Sequence, residues 1–185
     1  DDLNRRLDEA NLRGQWKVAL PLEGPTPSCE PHVWHYDDVL AYALEACEAL
    51  PETEHARRSL MFRNPILGRD ITHTLGLGIQ LIQPGEIAWP HRHTASAMRF
   101  VIDGDPDLVT VVDRTAYPME NYDLVLTPNW CWHGHHNRSE KNVTWLDILD
   151  LPAILALNQL FYEPGEIGLI EPDGTASMEP PAGER

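Results

Sequence analysis

His91 and His93 are separated by one residue, and His133 and His135 repeat that spacing about forty positions later. On a β-strand, residues two apart point to the same face. Each pair therefore presents two imidazoles side by side on an extended segment. Two imidazoles on one face are half of a metal site. His133 returns after several apolar runs and is placed to supply a third ligand. Three neutral imidazoles suit iron, zinc or copper. A chain that must bring 91–93 and 133–135 together is constrained to fold back on itself in strands.

The remainder of the sequence agrees. From residue 58 onward, short β-like runs alternate with turn signals: Leu60–Phe62, Gly76–Ile82, Ala97–Ile102, Leu108–Val112, Asp123–Thr127 and Val143–Leu149. Strands this short and evenly spaced predict an all-β sandwich or barrel. Ahead of them, Leu3, Leu7 and Leu12 among charges form a weak amphipathic helix, and 17–36 is a proline-rich, extended lead-in. Asp37 or Asp38 is placed to cap a helix over about 38–50, which Pro51 stops. Residues 152–162 are apolar and predict a covering helix or strand. The division expected is an N-terminal extension over 1–55, a barrel over 56–165 and a linker or tail over 166–185.

Composition narrows the function classes. The 185 residues carry 29 acidic and 14 basic side chains, a net charge of −15. Such a surface opposes binding to a phosphate backbone or an anionic membrane, so neither nucleic acid nor membrane is an expected partner. A local arginine still allows an anionic small molecule. Cys29, Cys47 and Cys131 are odd in number and scattered, which fits a reducing compartment rather than a disulfide framework. There is no apolar run of about 20 residues, and the first residues, Asp-Asp-Leu-Asn-Arg-Arg, do not read as a signal peptide. The chain opens on Asp rather than Met, so a processed or truncated chain is expected.

If 91–101 is one unbroken strand, His91, His93, Ala95, Ala97 and Arg99 share a face. That sets a guanidinium beside the imidazoles, and a planar fork next to a metal suits a carboxylate ligand. Taken alone, Arg99 is better read as the partner of a structural acid. From the 133–135 pair the metal needs one histidine; the other is free to hydrogen-bond a substrate or support the site. Asp147 alternates with Trp145 and Leu149, so an inward carboxylate orienting an arginine or histidine competes with an outward, solvated one. His32, His35, His55 and His73 have no ligand spacing. Cys131 lacks an activating arrangement for a nucleophile.

These residues follow the cupin pattern. Gly85, His91-Arg92-His93 and Gly104 match its first motif, without the usual glutamate, and Pro128, Trp130, His133 and Asn137 match its second, with Tyr122 where glycine usually opens it. Over about residues 30–165 the chain resembles the gentisate 1,2-dioxygenase family and its salicylate and 1-hydroxy-2-naphthoate relatives. The match is carried by Pro31-His32-Val33-Trp34, Gly78-Ile79-Gln80, 84–104 and 123–137. The resemblance implies a cupin, that is, a double-stranded β-helix or jelly-roll barrel with an N-terminal helical extension. It implies Fe(II) on His91, His93 and His133, and a substrate carboxylate on Arg58 and Arg99. His135 and Asp147 become pocket residues, with His135 close to the substrate hydroxyls and O2. The activity implied is extradiol-type ring cleavage of a small aromatic carboxylate by O2 in aromatic catabolism. Gentisate is the default substrate; 1-hydroxy-2-naphthoate or a substituted salicylate is the alternative. A cytoplasmic homo-oligomer, commonly a tetramer, goes with it. The run Leu75-Gly76-Leu77-Gly78 lacks the aromatic of salicylate-type relatives, implying a roomier pocket. The family is a bicupin, so the chain corresponds to the N-terminal half of a longer enzyme, with 172–181 as linker, or to a free-standing cupin. A metal-binding cupin without catalysis, a sensor or fragment, is the reading from another class.

Overall fold

The computed structural model describes residues 2–20, 29–50 and 58–165. Its strands are β1 (Leu60–Met61), β2 (Gly76–Ile82), β3 (Ile87–His93), β4 (Ala97–Asp103), β5 (Asp105–Val112), β6 (Thr115–Met119), β7 (Leu124–Thr127), β8 (His133–Asn137), β9 (Val143–Leu149) and β10 (Tyr162–Pro164). They form two five-stranded sheets, ordered β1-β2-β9-β4-β7 and β10-β3-β8-β5-β6. Every pairing is antiparallel. Ile82, Val101, Val143 and Trp145 of the first sheet meet Ala88, Leu108 and Met119 of the second in one buried core. The fold is the expected cupin sandwich.

Helices occupy the flanks: α1 (Asp2–Glu9), α2 (Tyr36–Ala49) and α3 (Leu151–Ala156). The α2 helix packs Ala43 and Cys47 against Leu81, on the outer face of the first sheet. It starts before the expected cap. His35 is the N-cap and makes no side-chain bond, while Asp37 and Asp38 fall in the first turn, where carboxylates favour the helix dipole. The expected covering element over 152–162 divides into α3 and β10. Pro51, His55, most of the extended lead-in's centre (21–28) and the proposed linker 166–185 lie outside the described residues.

The single strand supposed over 91–101 is overturned. It breaks after His93 into β3 and β4, which belong to opposite sheets. Asp150 accepts a 2.8 Å bond from the Ser96 N–H, and Thr94 bonds the Gln159 carbonyl at 2.7 Å, so the turn is tied to α3 and the segment after it. Arg99 still points inward, but from the sheet facing the histidines.

One tight connection lacks the usual glycine and another depends on one. The β5–β6 hairpin turns on Asp113 (φ 42°) and Arg114 (φ 74°), both left-handed, as a tight hairpin turn requires. Gly104 joins β4 to β5, and a Cβ there would lie 2.3 Å from the Met119 carbonyl oxygen and 2.6 Å from Val101 Cγ1, so only glycine fits.

The first sheet is apolar on its outer face as well. Two cross-strand rows run over it: Leu77–Ile148–Met98–Leu126 and Ile79–Leu146–Phe100–Leu124. At the β2 end Trp34, Tyr36, Val39 and Phe62 roof a groove of about 340 Å³. At the β7 end Leu124 and Leu126 are 61% and 59% exposed.

Candidate metal centre

His91 and His133 are directly paired across the β3–β8 ladder. The register slips between Ala88 and His91, where Trp89 and Pro90 intervene. A proline in a strand belongs at such a bulge, and a bulge re-aims the next side chain. The ring centroids of His91 and His93 lie 4.3 and 4.8 Å from that of His133. The ligand atoms of the three lie within 4.8 Å of one another. Arg92, between them in sequence, faces away. Its guanidinium sits 4.4 and 4.7 Å from the rings of Trp130 and Trp132 and donates to Glu163 at 2.6 Å. That clamp fixes β3 between β10 and the loop entering β8.

The orientation of each ring is set by the backbone. Nδ1 of His91 meets the Trp89 carbonyl at 2.9 Å, Nδ1 of His93 the Ala95 carbonyl at 2.7 Å, and Nδ1 of His133 the Cys131 carbonyl at 3.0 Å. A carbonyl only accepts, so each Nδ1 carries a proton, and in the neutral ring the lone pair is then on Nε2. The Nε2 of His133 is buried with no hydrogen-bond partner. Burial, and then the nearby Arg99 charge, hold the His133 imidazole well below its ordinary titration range, so it stays in the neutral form that ligates. Three pre-oriented imidazoles, of which the buried His133 is held neutral with an orphaned Nε2, fit a first-row transition metal.

His135 is different. It is buried, its ring centre 6.2 Å from that of His133, and its Nδ1 lies 2.8 Å from the Thr110 hydroxyl rather than on a carbonyl. The structure thus separates the two histidines that spacing alone left equivalent. Burial, then Arg99, also lowers its titration well below the ordinary imidazole range.

Arg99 lies opposite Asp147 in the β4–β9 ladder, with its Nε 3.1 Å from a carboxylate oxygen, and Nη1 donates to the Thr127 hydroxyl. Burial pushes the Arg99 guanidinium down and the Asp147 carboxyl up, while each charge opposes the shift of the other. Thr127 was not expected. Its signal is a polar residue at an inward position of an otherwise apolar strand, and Thr110 carries the same signal in β5.

Arg58 is not part of this group. It is buried, and its guanidinium pairs with the buried Glu86, whose other oxygen accepts from the Gln83 N–H at 2.7 Å. That pair closes the β2–β3 turn. Cys131 is no nucleophile: burial and Asp113 push its thiol up to about 11.

A jelly-roll sandwich carrying three imidazoles on one inner surface, faced by a buried arginine, is a metal-binding cupin. Residues 78–149 match the cupin domain family. Among curated proteins, a 1-hydroxy-2-naphthoate 1,2-dioxygenase of Nocardioides sp. (strain KP7) is 45% identical over 87% of this chain and 43% of its own length. A gentisate 1,2-dioxygenase of Aquipseudomonas alcaligenes is 38% identical over 85% of the chain and 46% of its own. The solved salicylate 1,2-dioxygenase of Pseudaminobacter salicylatoxidans superposes with a TM-score of 0.80 at 34% identity, over 89% of this chain and 48% of that one. The chain carries a cupin domain, and the relatives it resembles over most of its length are gentisate-, salicylate- and 1-hydroxy-2-naphthoate-type 1,2-dioxygenases. It spans about half the length of the curated relatives it matches.

Proposed function

We propose that this chain is the metal-bearing part of a ring-cleaving dioxygenase that opens a small aromatic ring carrying a carboxylate and an ortho-hydroxyl. The observation that carries the reading is the buried Arg99 opposite Asp147, facing the three-histidine group from the other sheet.

Fe(II) on His91, His93 and His133 is the metal we assign. Bound there, it would bring the electron-rich ring and O2 together and supply the redox chemistry. The chain's own residues do the rest. Arg99 orients the substrate carboxylate with a fixed planar fork. Thr127 and Asp147 hold that fork in place. His135 meets the substrate hydroxyl. Asp147 acts through Arg99 and is a positioning residue. Arg58, drawn into the Glu86 pair, serves the turn between β2 and β3 rather than the substrate. The extradiol character of the scission, a cytoplasmic location and a homo-oligomer are proposed with the activity, on the family resemblance. Among the described residues no helix is long and apolar enough to cross a membrane.

Gentisate is the first substrate to test. 1-Hydroxy-2-naphthoate is the second. The 45% identity to the Nocardioides naphthoate enzyme supports that choice. The chain is reconstituted anaerobically with Fe(II), given each acid in turn, and exposed to air. O2 uptake matched by a new ultraviolet-absorbing product supports the reading. Absence of both turnover and any substrate-induced spectral change at the metal, for every acid, overturns it.

A further inference from the structure

Four histidines occupy the HxH pairs, and they differ in one respect. The Nδ1 atoms of His91, His93 and His133 each face a backbone carbonyl, which fixes their tautomer. The Nδ1 of His135 faces a hydroxyl, which both donates and accepts. What decides the His135 tautomer is the second contact of that hydroxyl. Thr110 Oγ1 also lies against the sulfur of Met119, and all three side chains are buried.

A threonine has one hydroxyl proton, and a thioether sulfur accepts but never donates. If the proton turns to His135, one hydrogen bond forms and the oxygen and sulfur lone pairs are left face to face. If it turns to Met119, His135 donates from Nδ1 to the freed oxygen and both contacts are satisfied. In a buried site the arrangement without an unmade bond prevails. We propose that Thr110, held by Met119, is a positioning residue that sets His135 in the Nδ1–H tautomer and leaves its Nε2 as an acceptor. A ring-cleaving substrate of the class assigned above carries a hydroxyl, and an Nε2 lone pair accepts from that hydroxyl, whereas an Nε2–H does not. This inference rests on that reading for its use, but not for its chemistry.

The test separates the two. The full chain is loaded with Zn(II), which is diamagnetic, and the His135 tautomer is read from long-range proton–nitrogen correlations. The wild-type ring is expected as Nδ1–H. Thr110→Val removes the hydroxyl at constant shape, and Met119→Leu removes the sulfur with little change of volume. Both are expected to shift the ring toward Nε2–H, and Thr110→Ser is expected to retain Nδ1–H. If Thr110→Val does not fold, the Met119→Leu and Thr110→Ser pair carries the test. With Fe(II) and a turned-over acid, Thr110→Val is expected to lower kcat by roughly 10- to 100-fold, with KM changed far less and metal content intact. A wild-type ring found as Nε2–H, or a ring unmoved in Met119→Leu, overturns the proposal. Tautomers that behave as stated in a protein that opens no ring sink the proposed activity instead.

Discussion

Arg99 and Asp147 face each other across the β4–β9 ladder, with 3.1 Å between the guanidinium Nε and a carboxylate oxygen. Both groups are shielded from water, so each depends on the other. Arg99→Ala leaves a buried carboxylate without its partner, a loss of about 3–5 kcal/mol in stability. For substrate, it removes the charged contact: KM is expected to rise thirtyfold or more, equivalent to about 2 kcal/mol. Metal content stays at the wild-type level. Arg99→Lys keeps the charge without the planar fork and falls between the two. Steady-state kinetics and metal analysis on the same preparations decide the matter. Loss of metal in Arg99→Ala would reassign Arg99 to the scaffold.

His133 is the most buried of the three ligands, and its Nε2 has no other partner. His133→Ala is expected to lower bound metal by at least about tenfold, measured after equilibration with Fe(II) or Zn(II). His135→Ala is expected to leave it unchanged, because that ring is committed to Thr110. Full metal retention in His133→Ala contradicts the ligand set.

Glu86 tests the place of Arg58. Glu86→Gln leaves a buried guanidinium unpaired and is expected to cost about 3–5 kcal/mol of stability. Metal content and KM of the folded fraction should be unaltered. A rise in KM without loss of stability would return Arg58 to the substrate.

The metal-free protein should become less stable in mild acid. His133 and His135 titrate well below 6.5, chiefly through burial and next through Arg99. The unfolded chain therefore takes up these protons first. Their contribution is full above about pH 6.5 and is lost as pH falls from there toward the folded-state values. Asp147, raised by burial above 3.8, runs the other way: its contribution is full below that value and is lost as pH rises. Thermal unfolding midpoints followed from about pH 8 to about pH 5 should fall in the wild type and fall less in His135→Gln. A midpoint independent of pH over this range would mean that the two rings are not held neutral.

The parts of the fold legible in the sequence were those where burial and alternation coincide. Gly76–Ile82 and Val143–Leu149 are read at their true limits because the first is largely apolar, the second alternates, and both are flanked by turn signals. β8 is His-Gly-His-His-Asn and has no apolar residue, yet every position in it is buried. Asn137 is held by a 3.1 Å bond from its side-chain amide to the Ile82 carbonyl, and local pattern does not reveal a partner 55 positions away. β6 escaped notice for another reason: Pro118 lies within it, and the turn before it uses Asp113 and Arg114 instead of glycine. At the site, parity found the inward face of Arg99 from a wrong premise, since the chain changes sheets between His93 and Ala97. Arg58 could not be placed from sequence because Glu86, its partner, approaches only when β2 turns into β3.

The outer rows of the first sheet have a consequence for the chain in solution. A net charge of −15 drives copies apart, whereas the uncharged strip ending in Leu124 and Leu126 draws them together. The repulsion is screened over about 10 Å at 0.1 M salt, while the attraction between apolar surfaces is not. The two therefore trade dominance with ionic strength. Dilute buffer keeps the molecules dispersed, and added salt, ordinarily benign for an acidic protein, brings these faces into contact and sets the limit of colloidal stability.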